Sequence, residues 1–277
     1  MNNKSIVITG CSTGIGYHCA REMKARGWRV IATARTDADI ARLKSEGLET
    51  LYLDYTEPES IAAAADRIAE LTGGKLYALF NNGAYGQQGA VEDLPVHALR
   101  IQLETNVIGW HDLTCRLLPL IRANGGGRII QNSSILGVVA LKWRGAYNTS
   151  KYAIEGLSDT LRLELRGSGI YVSLIEPGPI VSRFNETARR HFDKHIDAEN
   201  SHYRDAYEAV FKRFEKGHKS PVTLGPEAVL AKLLRALESP RPKARYYVTL
   251  ATPLFVTMRR FLPQRVLDKF MYWASDK

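Results

Sequence analysis

Cysteine is scarce in this sequence. Only Cys11, Cys19 and Cys115 occur in 277 residues, scattered and without a CxxC pair, which excludes a disulfide framework and makes a reducing compartment the expectation. No run of about 18 apolar residues is present, so no segment is expected to span a bilayer. The opening stretch MNNKSIVITG carries no long apolar segment before a strand-like run begins. A secretory signal is therefore not expected, and a cytoplasmic location is. Solenoid repeats and low-complexity tracts are also missing. What is left is the composition of an ordinary globular protein, 45% hydrophobic and 24% charged, long enough for a single α/β domain.

Charge of one sign is lacking in the first two-thirds. Residues 1–182 hold 19 basic and 18 acidic side chains, whereas residues 183–277 hold 19 and 11. With the excess confined to the last third and no recognition motif, nucleic acid is not an expected partner.

Short apolar, β-branched runs recur at 4–9, 28–33, 49–53, 76–81, 128–132 and 170–175. Each leads into a helical pattern or a Gly-rich turn, which predicts a parallel sheet with crossover helices, a doubly wound α/β fold. A late run near 245–250 makes seven strands. Long helices are expected at 95–123, stopped by Asn-Gly-Gly-Gly, and at 145–166, stopped by Gly167 and Gly169. Beyond Pro177-Gly178-Pro179 the rhythm changes. Residues 185–218 are polar, mostly helical in pattern and rich in His, Lys and Arg, a helix follows near 226–238, and an amphipathic tail runs from 253 to 272.

Four constellations carry chemistry. Thr9-Gly10-Cys11-Ser12-Thr13-Gly14-Ile15-Gly16 lies between the first strand and the first helix. Glycine there lets the backbone approach a pyrophosphate, which the helix N-terminus attracts. The spacing G-x-x-x-G-x-G departs from G-x-G-x-x-G. Tyr147 and Lys151 sit four apart on one helix face, and a neighbouring cation brings a phenol toward the working range of an acid–base catalyst. Ser134 ends a strand, on the sheet edge where doubly wound folds bind ligands. Asn106 lies inside a long helix, where asparagine is disfavoured; its alternative reading is a polar residue satisfied between helices.

Together, Gly10/Gly14/Gly16, Asn81-Asn82-Gly83, Asn106, Ser134, Tyr147, Lys151 and Pro177-Gly178 follow the order and spacing of the short-chain dehydrogenase/reductase family. The chain resembles that family from about residue 4 to residue 185, and its catalytic, single-domain branch in particular. The resemblance implies a Rossmann domain with a mostly parallel seven-stranded sheet, a substrate lid at 185–218 and a C-terminal extension at 253–277. It implies Tyr147 as general acid/base and Lys151 as the residue that holds the nicotinamide ribose and lowers the tyrosine's pKa. Ser134 would bind the substrate oxygen, and Asn106 would position a water in a proton relay. No metal is implied. The family's Asn-Asn-Ala-Gly is here Asn81-Asn82-Gly83-Ala84, with Gly and Ala exchanged, so two small residues still flank the adenosine ribose. Asp54 would touch adenine, and Pro177, Gly178 and Ile180 would flank the nicotinamide.

Cofactor choice rests on the end of the second strand, where NAD-binding chains carry an acid for the ribose 2′-hydroxyl. Here Ala34 stands at that position and Arg35 follows. A guanidinium matches a 2′-phosphate, so NADP(H) is expected, with Ser12 as a helper. Asp37 and Asp39 fall too far on and read as a helix cap. Ile135, Leu136, Val138, Val139, Leu141 and Trp143 form an apolar loop between Ser134 and Tyr147. With Tyr85 and Phe184 closing it, such a pocket suits a lipophilic aldehyde, ketone or alcohol. Within the family the likeness is to retinol- and hydroxysteroid-dehydrogenase-like members and bacterial aldehyde reductases. The expected activity is NADPH-dependent carbonyl reduction; the rivals are an NAD-linked alcohol or hydroxysteroid dehydrogenase and a non-catalytic NADP(H) sensor. A homodimer or homotetramer through the two long helices is also implied.

His191 and His195, four apart, are read as part of a solvated helix in preference to a metal pair. Cys11, Trp110 and Trp143 are read as packing residues. The tail, with Arg259, Arg260, Arg265 and Lys269 among apolar residues, is read first as a lid or subunit contact and second as a basic segment on a membrane surface.

Overall fold

Ile6, Val7 and Ile8 are all fully buried, and they are buried on alternate faces. In the computed structural model, which describes residues 4–215 and 223–275, Ile6 and Ile8 belong to one apolar layer and Val7 to the other. A strand covered on both sides is what a near-continuous apolar run specifies. The strands are β1 (Ser5–Ile8), β2 (Arg29–Ala34), β3 (Glu49–Tyr52), β4 (Ala78–Asn81), β5 (Gly127–Asn132), β6 (Ile170–Glu176) and β7 (Arg245–Tyr247). They form one sheet in the order β3-β2-β1-β4-β5-β6-β7, parallel at every pairing.

Between the first strands run α1 (Gly14–Ala25), α2 (Asp37–Ser45) and α3 (Pro58–Thr72), followed by α4 (Val96–Leu103), α5 (Gly109–Ala123) and α6 (Gly145–Glu164). After β6 come α7 (Phe184–His195), α8 (Arg204–Glu215), α9 (Glu227–Glu238), α10 (Ala251–Phe261) and α11 (Gln264–Ser275). One layer joins α1 and α9 through Cys19, Met23, Val229 and Leu233. The other joins α3, α5 and α6 through Ile61, Ile68, Trp110, Leu117 and Ile154. Each such side chain contributes roughly 1.5–3 kcal/mol by leaving water.

Two expected elements differ. The helix anticipated at 95–123 is interrupted by a π turn, Glu104–Ile108, built around Asn106, whose side chain is drawn into contacts described below. The late strand stops at Tyr247 because β7 is the sheet's edge and pairs with β6 through only three residues; Leu250 already caps α10. Residues 216–218 of the expected lid and 276–277 of the expected tail lie outside the described residues. The order of strands reverses between β1 and β4, so a crevice opens beyond their carboxyl ends. Into that edge run the segments after β1, β2, β4, β5 and β6.

Candidate active site

The cradle is stitched from three strand ends. Thr9 Oγ1 accepts hydrogen bonds from the backbone N–H groups of Asn82 (2.9 Å) and Gly83 (3.0 Å), and Asn82 Nδ2 donates to Thr9 O (2.9 Å). Asn132 Nδ2 donates in turn to Asn82 Oδ1 at 2.9 Å. Gly10 has φ +68°, and a Cβ there would lie 2.4 Å from Gly83 Cα, so the two turns meet backbone to backbone. Gly10→Ala is expected to lower folding stability by about 2–5 kcal/mol, from left-handed strain plus overpacking. Urea unfolding of the variant measures it.

Just beyond, α1 begins at Gly14 without help. Thr13 is its N-cap in extended backbone but makes no side-chain cap, and no acidic residue occupies the first turn. Its first N–H groups therefore face the edge with a positive end dipole and no protein acceptor from the cap. Gly16 would clash with Gly10 O at 2.3 Å if it carried a Cβ, while Ile15 packs into the α1 layer. This uncapped, side-chain-free turn fits a dinucleotide pyrophosphate.

At the end of β2, Ala34 is buried and Arg35 is 56% exposed, with Nη1 3.8 Å from Asp54 Oδ2. The two residues expected at the adenosine end thus meet. A second guanidinium, not singled out in the sequence, reaches the turn after β1: Arg42 Nη2 donates to Ser12 O at 2.7 Å. Thr36 caps α2 by accepting from Asp39 N. Burial raises the Asp39 carboxyl, but hydrogen bonds from Thr36, Arg42 and Ser12 outweigh it and hold the pKa low. The Ser12 hydroxyl is accordingly engaged with Asp39. On the opposite side, Ile135 N donates to Pro177 O at 2.8 Å. A Cβ on Gly178 would meet Thr249 Oγ1 at 2.3 Å, and Ile180 pairs with Leu224 in an isolated bridge.

Tyr147 and Lys151 project from the first turns of α6. Lys151 is 1% exposed; its Nζ donates to Asn132 O at 2.7 Å and stands 4.5 Å from the Trp110 ring centre and 5.6 Å from that of Tyr147. Burial brings the ammonium down to about 7, against the pull of Glu155. The same burial pushes the Tyr147 phenol up to about 12, with the Ser134 hydroxyl and the charge of Arg144 offsetting part of the rise. A tyrosine lowered by its lysine was expected; among the protein's own groups, desolvation is the larger effect. Ser134 Oγ accepts from Leu136 N at 3.1 Å, and its hydroxyl is hydrogen-bonded to the Tyr147 phenol.

Asn106 is committed elsewhere. Its Oδ1 accepts from Tyr85 N (3.2 Å), and its Nδ2 donates to Tyr85 O (2.9 Å) and Ser150 Oγ (3.1 Å). The side-chain amide therefore pins Tyr85 to α6, with one lone pair of Oδ1 left over. Trp110 does more than pack: Nε1 donates to Gly83 O at 2.8 Å while its face lies beside Lys151.

Arg144, three residues before Tyr147, gave no signal beyond that helical spacing. Burial lowers its pKa, its charge acts on Tyr147, and it has no hydrogen-bonded or ion-paired side-chain partner among the described residues. It follows Trp143, the one described non-glycine with left-handed backbone, at φ +62°, so strain is stored one turn ahead of the tyrosine.

Phe184 covers the site, its ring edge-on to Tyr147 at 5.2 Å between centroids. Tyr85 stacks on His191 at 4.0 Å, and His97 Nε2 faces His195 Nδ1 at 3.2 Å. Burial pushes His191 down to about 4. Among the described residues no group of three or more His, Cys, Asp or Glu is placed to hold a metal. The apolar loop is walled by the tail: Ile135, Leu136 and Val139 pack with Leu267 and Met271, and Tyr147 abuts the same cluster. Cys11 is buried, its thiol donating to Ile8 O, and burial pushes it up to about 12.

Below the loop, three carboxylates share one guanidinium. Arg245 Nη2 reaches Asp159 (2.7 Å) and Glu155 (3.0 Å), and Nε lies 3.2 Å from Glu176. Burial, with the charge of Glu155, pushes Glu176 up to about 8. The folded chain therefore holds this proton more tightly than the unfolded chain, for which the ordinary value is 4.5. Its stabilisation is complete below that value and is lost as pH rises toward 8. Melting temperature is expected to fall across this window, and Glu176→Gln to flatten the profile; an unchanged profile in the variant would contradict the assignment.

With this geometry, a family model described as short chain dehydrogenase matches residues 4–193. The chain is 42% identical over 269 residues to the uncharacterized oxidoreductase YbbO of Escherichia coli K12, covering 97% of this chain and 94% of the relative. It is 32% identical over 286 residues to human retinol dehydrogenase 16, covering 99% and 90%. It is also 32% identical over 276 residues to an NADPH-dependent 3-dehydrocapnine reductase of Ornithobacterium rhinotracheale, covering 96% and 95%.

Proposed function

The chain belongs to the short-chain dehydrogenase/reductase family, and from that membership we propose that it reduces lipophilic aldehydes or ketones to alcohols with NADPH, reversibly. The observation that carries the reading is one sheet edge. It gathers an uncapped helix N-terminus, Arg35 beyond a buried Ala34, and Tyr147 between Ser134 and Lys151. The α1 turn with Gly10, Thr13, Gly14 and Gly16 would hold the pyrophosphate. Arg35, with Arg42 behind it, would hold a 2′-phosphate, a group that a guanidinium binds through paired charge-assisted hydrogen bonds. Asp54 would lie beside the adenine end, and Asn82, Gly83, Pro177, Gly178 and Ile180 would line the way to the nicotinamide end. When bound, NADPH supplies the hydride.

The chain's own residues handle the proton and the alignment. The Tyr147 hydroxyl delivers a proton to the carbonyl oxygen as the carbon gains the hydride, so the product is the neutral alcohol. Ser134, hydrogen-bonded to the Tyr147 phenol in the free protein, would donate to the same oxygen and fix its position beside the tyrosine. Lys151 spends one donor on Asn132 O and has two left for ribose hydroxyls. Ile135, Leu136 and Val139, walled by the tail, keep water from the reacting carbonyl and favour an apolar substrate. Relatives named for retinol and for NADPH-dependent reduction support the substrate class and the direction. The family habit of pairing long helices supports a dimer or tetramer through α4–α6.

The test is NADPH oxidation with aldehydes and ketones of increasing apolar length, NADH in parallel. Rates that rise with apolar size and require NADPH are expected; turnover with NADH alone would refute the cofactor assignment.

A further inference from the structure

We infer that the outer face of α10 and α11 docks on a bilayer surface bearing anionic lipid. The two helices are apolar on two sides. Their inner sides wall the substrate loop, as described. On the outer sides, Leu250 is 87% exposed, Phe261 74%, Tyr272 66% and Trp273 55%. Leu254 and Phe261 are seven apart in α10, as are Val266 and Trp273 in α11, so each pair shares a stripe.

Between these residues stand Arg260, Arg265 and Lys269, exposed and with no acidic partner among the described residues. The nearest acid, Asp268, is held by Gln264 at 2.7 Å. Several other surface arginines are paired, as Arg29 with Glu49, Arg116 with Asp112 and Arg189 with Asp193; what sets this face apart is three such cations set among exposed bulky apolar residues. A face with bulky apolar residues and unpaired cations fits a negatively charged, apolar-backed surface. A second copy of the chain fits less well, because a two-fold contact would set these cations against one another. No described helix is long and apolar enough to cross a membrane, so the helices lie along the surface. Tyr and Trp at the rim suit the headgroup level.

Docking has a consequence for supply, and this part rests on the reductase reading. Tyr272 also lines a groove of about 880 Å³ with Val91, Glu92, Lys142, Trp143 and Val210. Its wall includes Trp143, four residues before Tyr147 on the way into α6. A lipophilic carbonyl compound dissolved in the bilayer would meet this groove beside the docked face.

Sedimentation of the full chain with vesicles tests the docking without any assay of catalysis. Binding is expected to vesicles of phosphatidylcholine with about one-third phosphatidylglycerol, and not to phosphatidylcholine alone. Each basic residue multiplies affinity by roughly fivefold, so the Arg260→Gln, Arg265→Gln, Lys269→Gln triple variant should bind on the order of a hundredfold more weakly. Phe261→Ser should weaken binding independently of charge. Equal sedimentation of wild type and triple variant, or none of either, would overturn the inference. So would absence of vesicle binding together with a smaller species for Phe261→Ser in gel filtration, which assigns the face to a second copy. In the catalytic arm, the triple variant should keep wild-type rates on a water-soluble aldehyde and lose rate on one confined to anionic vesicles.

Discussion

Tyr147→Phe is expected to remove turnover while leaving NADPH affinity within about threefold of wild type. The hydroxyl is the only atom deleted, so the ring keeps its edge-on contact with Phe184 and its place against the Ile135–Val139 cluster. No cavity opens, and the fold has no reason to loosen. What disappears is the proton donor at the carbonyl oxygen. General acid catalysis by a placed side chain contributes roughly 10²–10⁴-fold, and neither neighbour replaces it. Ser134 donates a hydrogen bond without becoming an acid of suitable strength, and Lys151 is bound to Asn132 O with Nζ 5.6 Å from the centre of the Tyr147 ring. A drop in kcat of about a thousandfold with unchanged NADPH fluorescence titration is the expected pair of results. Wild-type turnover in the variant would remove Tyr147 from the mechanism.

Arg35→Asp is expected to weaken NADPH binding on the order of a hundredfold and to alter NADH binding by no more than about threefold. Arg35 is more than half exposed and held only by a loose 3.8 Å pair with Asp54, so its removal disturbs little of the protein. A charge-assisted hydrogen bond contributes about 1.5–3 kcal/mol, and the new carboxylate adds repulsion toward a 2′-phosphate. Toward a 2′-hydroxyl the same carboxylate is an acceptor, as in NAD-binding chains. Arg35→Ala separates the two effects, because it removes attraction without adding repulsion. Arg42, bonded to Ser12 O, Asp39 and Glu46, keeps one cation near the site and limits the loss in both variants. Equal losses for the two cofactors would show that Arg35 serves the turn, not the phosphate.

The class of fold and the residues at the sheet edge follow from local patterning. Alternation such as Ile6-Val7-Ile8, repeated with helical patterns between, leaves a parallel sheet covered on both faces as the way to bury those side chains. The order of glycines, Ser134, Tyr147 and Lys151 put these residues at the end of β1, the end of β5 and the start of α6, because strand ends and helix starts are local features. Side-chain contacts between distant segments were not local, and they came from how the elements pack. Nothing in the spacing announced that Arg42 would reach back thirty residues to Ser12. Nor did it show that Asn106 would spend its amide on Tyr85, or that Arg245 would gather Glu155, Asp159 and Glu176. The electrostatics also changed hands. A cation four residues from a phenol reads as a lowered pKa, but burial is set by everything packed around the pair, and here it moves the phenol up and the ammonium down. The tail shows the same division: its amphipathic pattern was legible, while which face met the substrate loop depended on how α10 and α11 lie against Ile135, Leu136 and Val139.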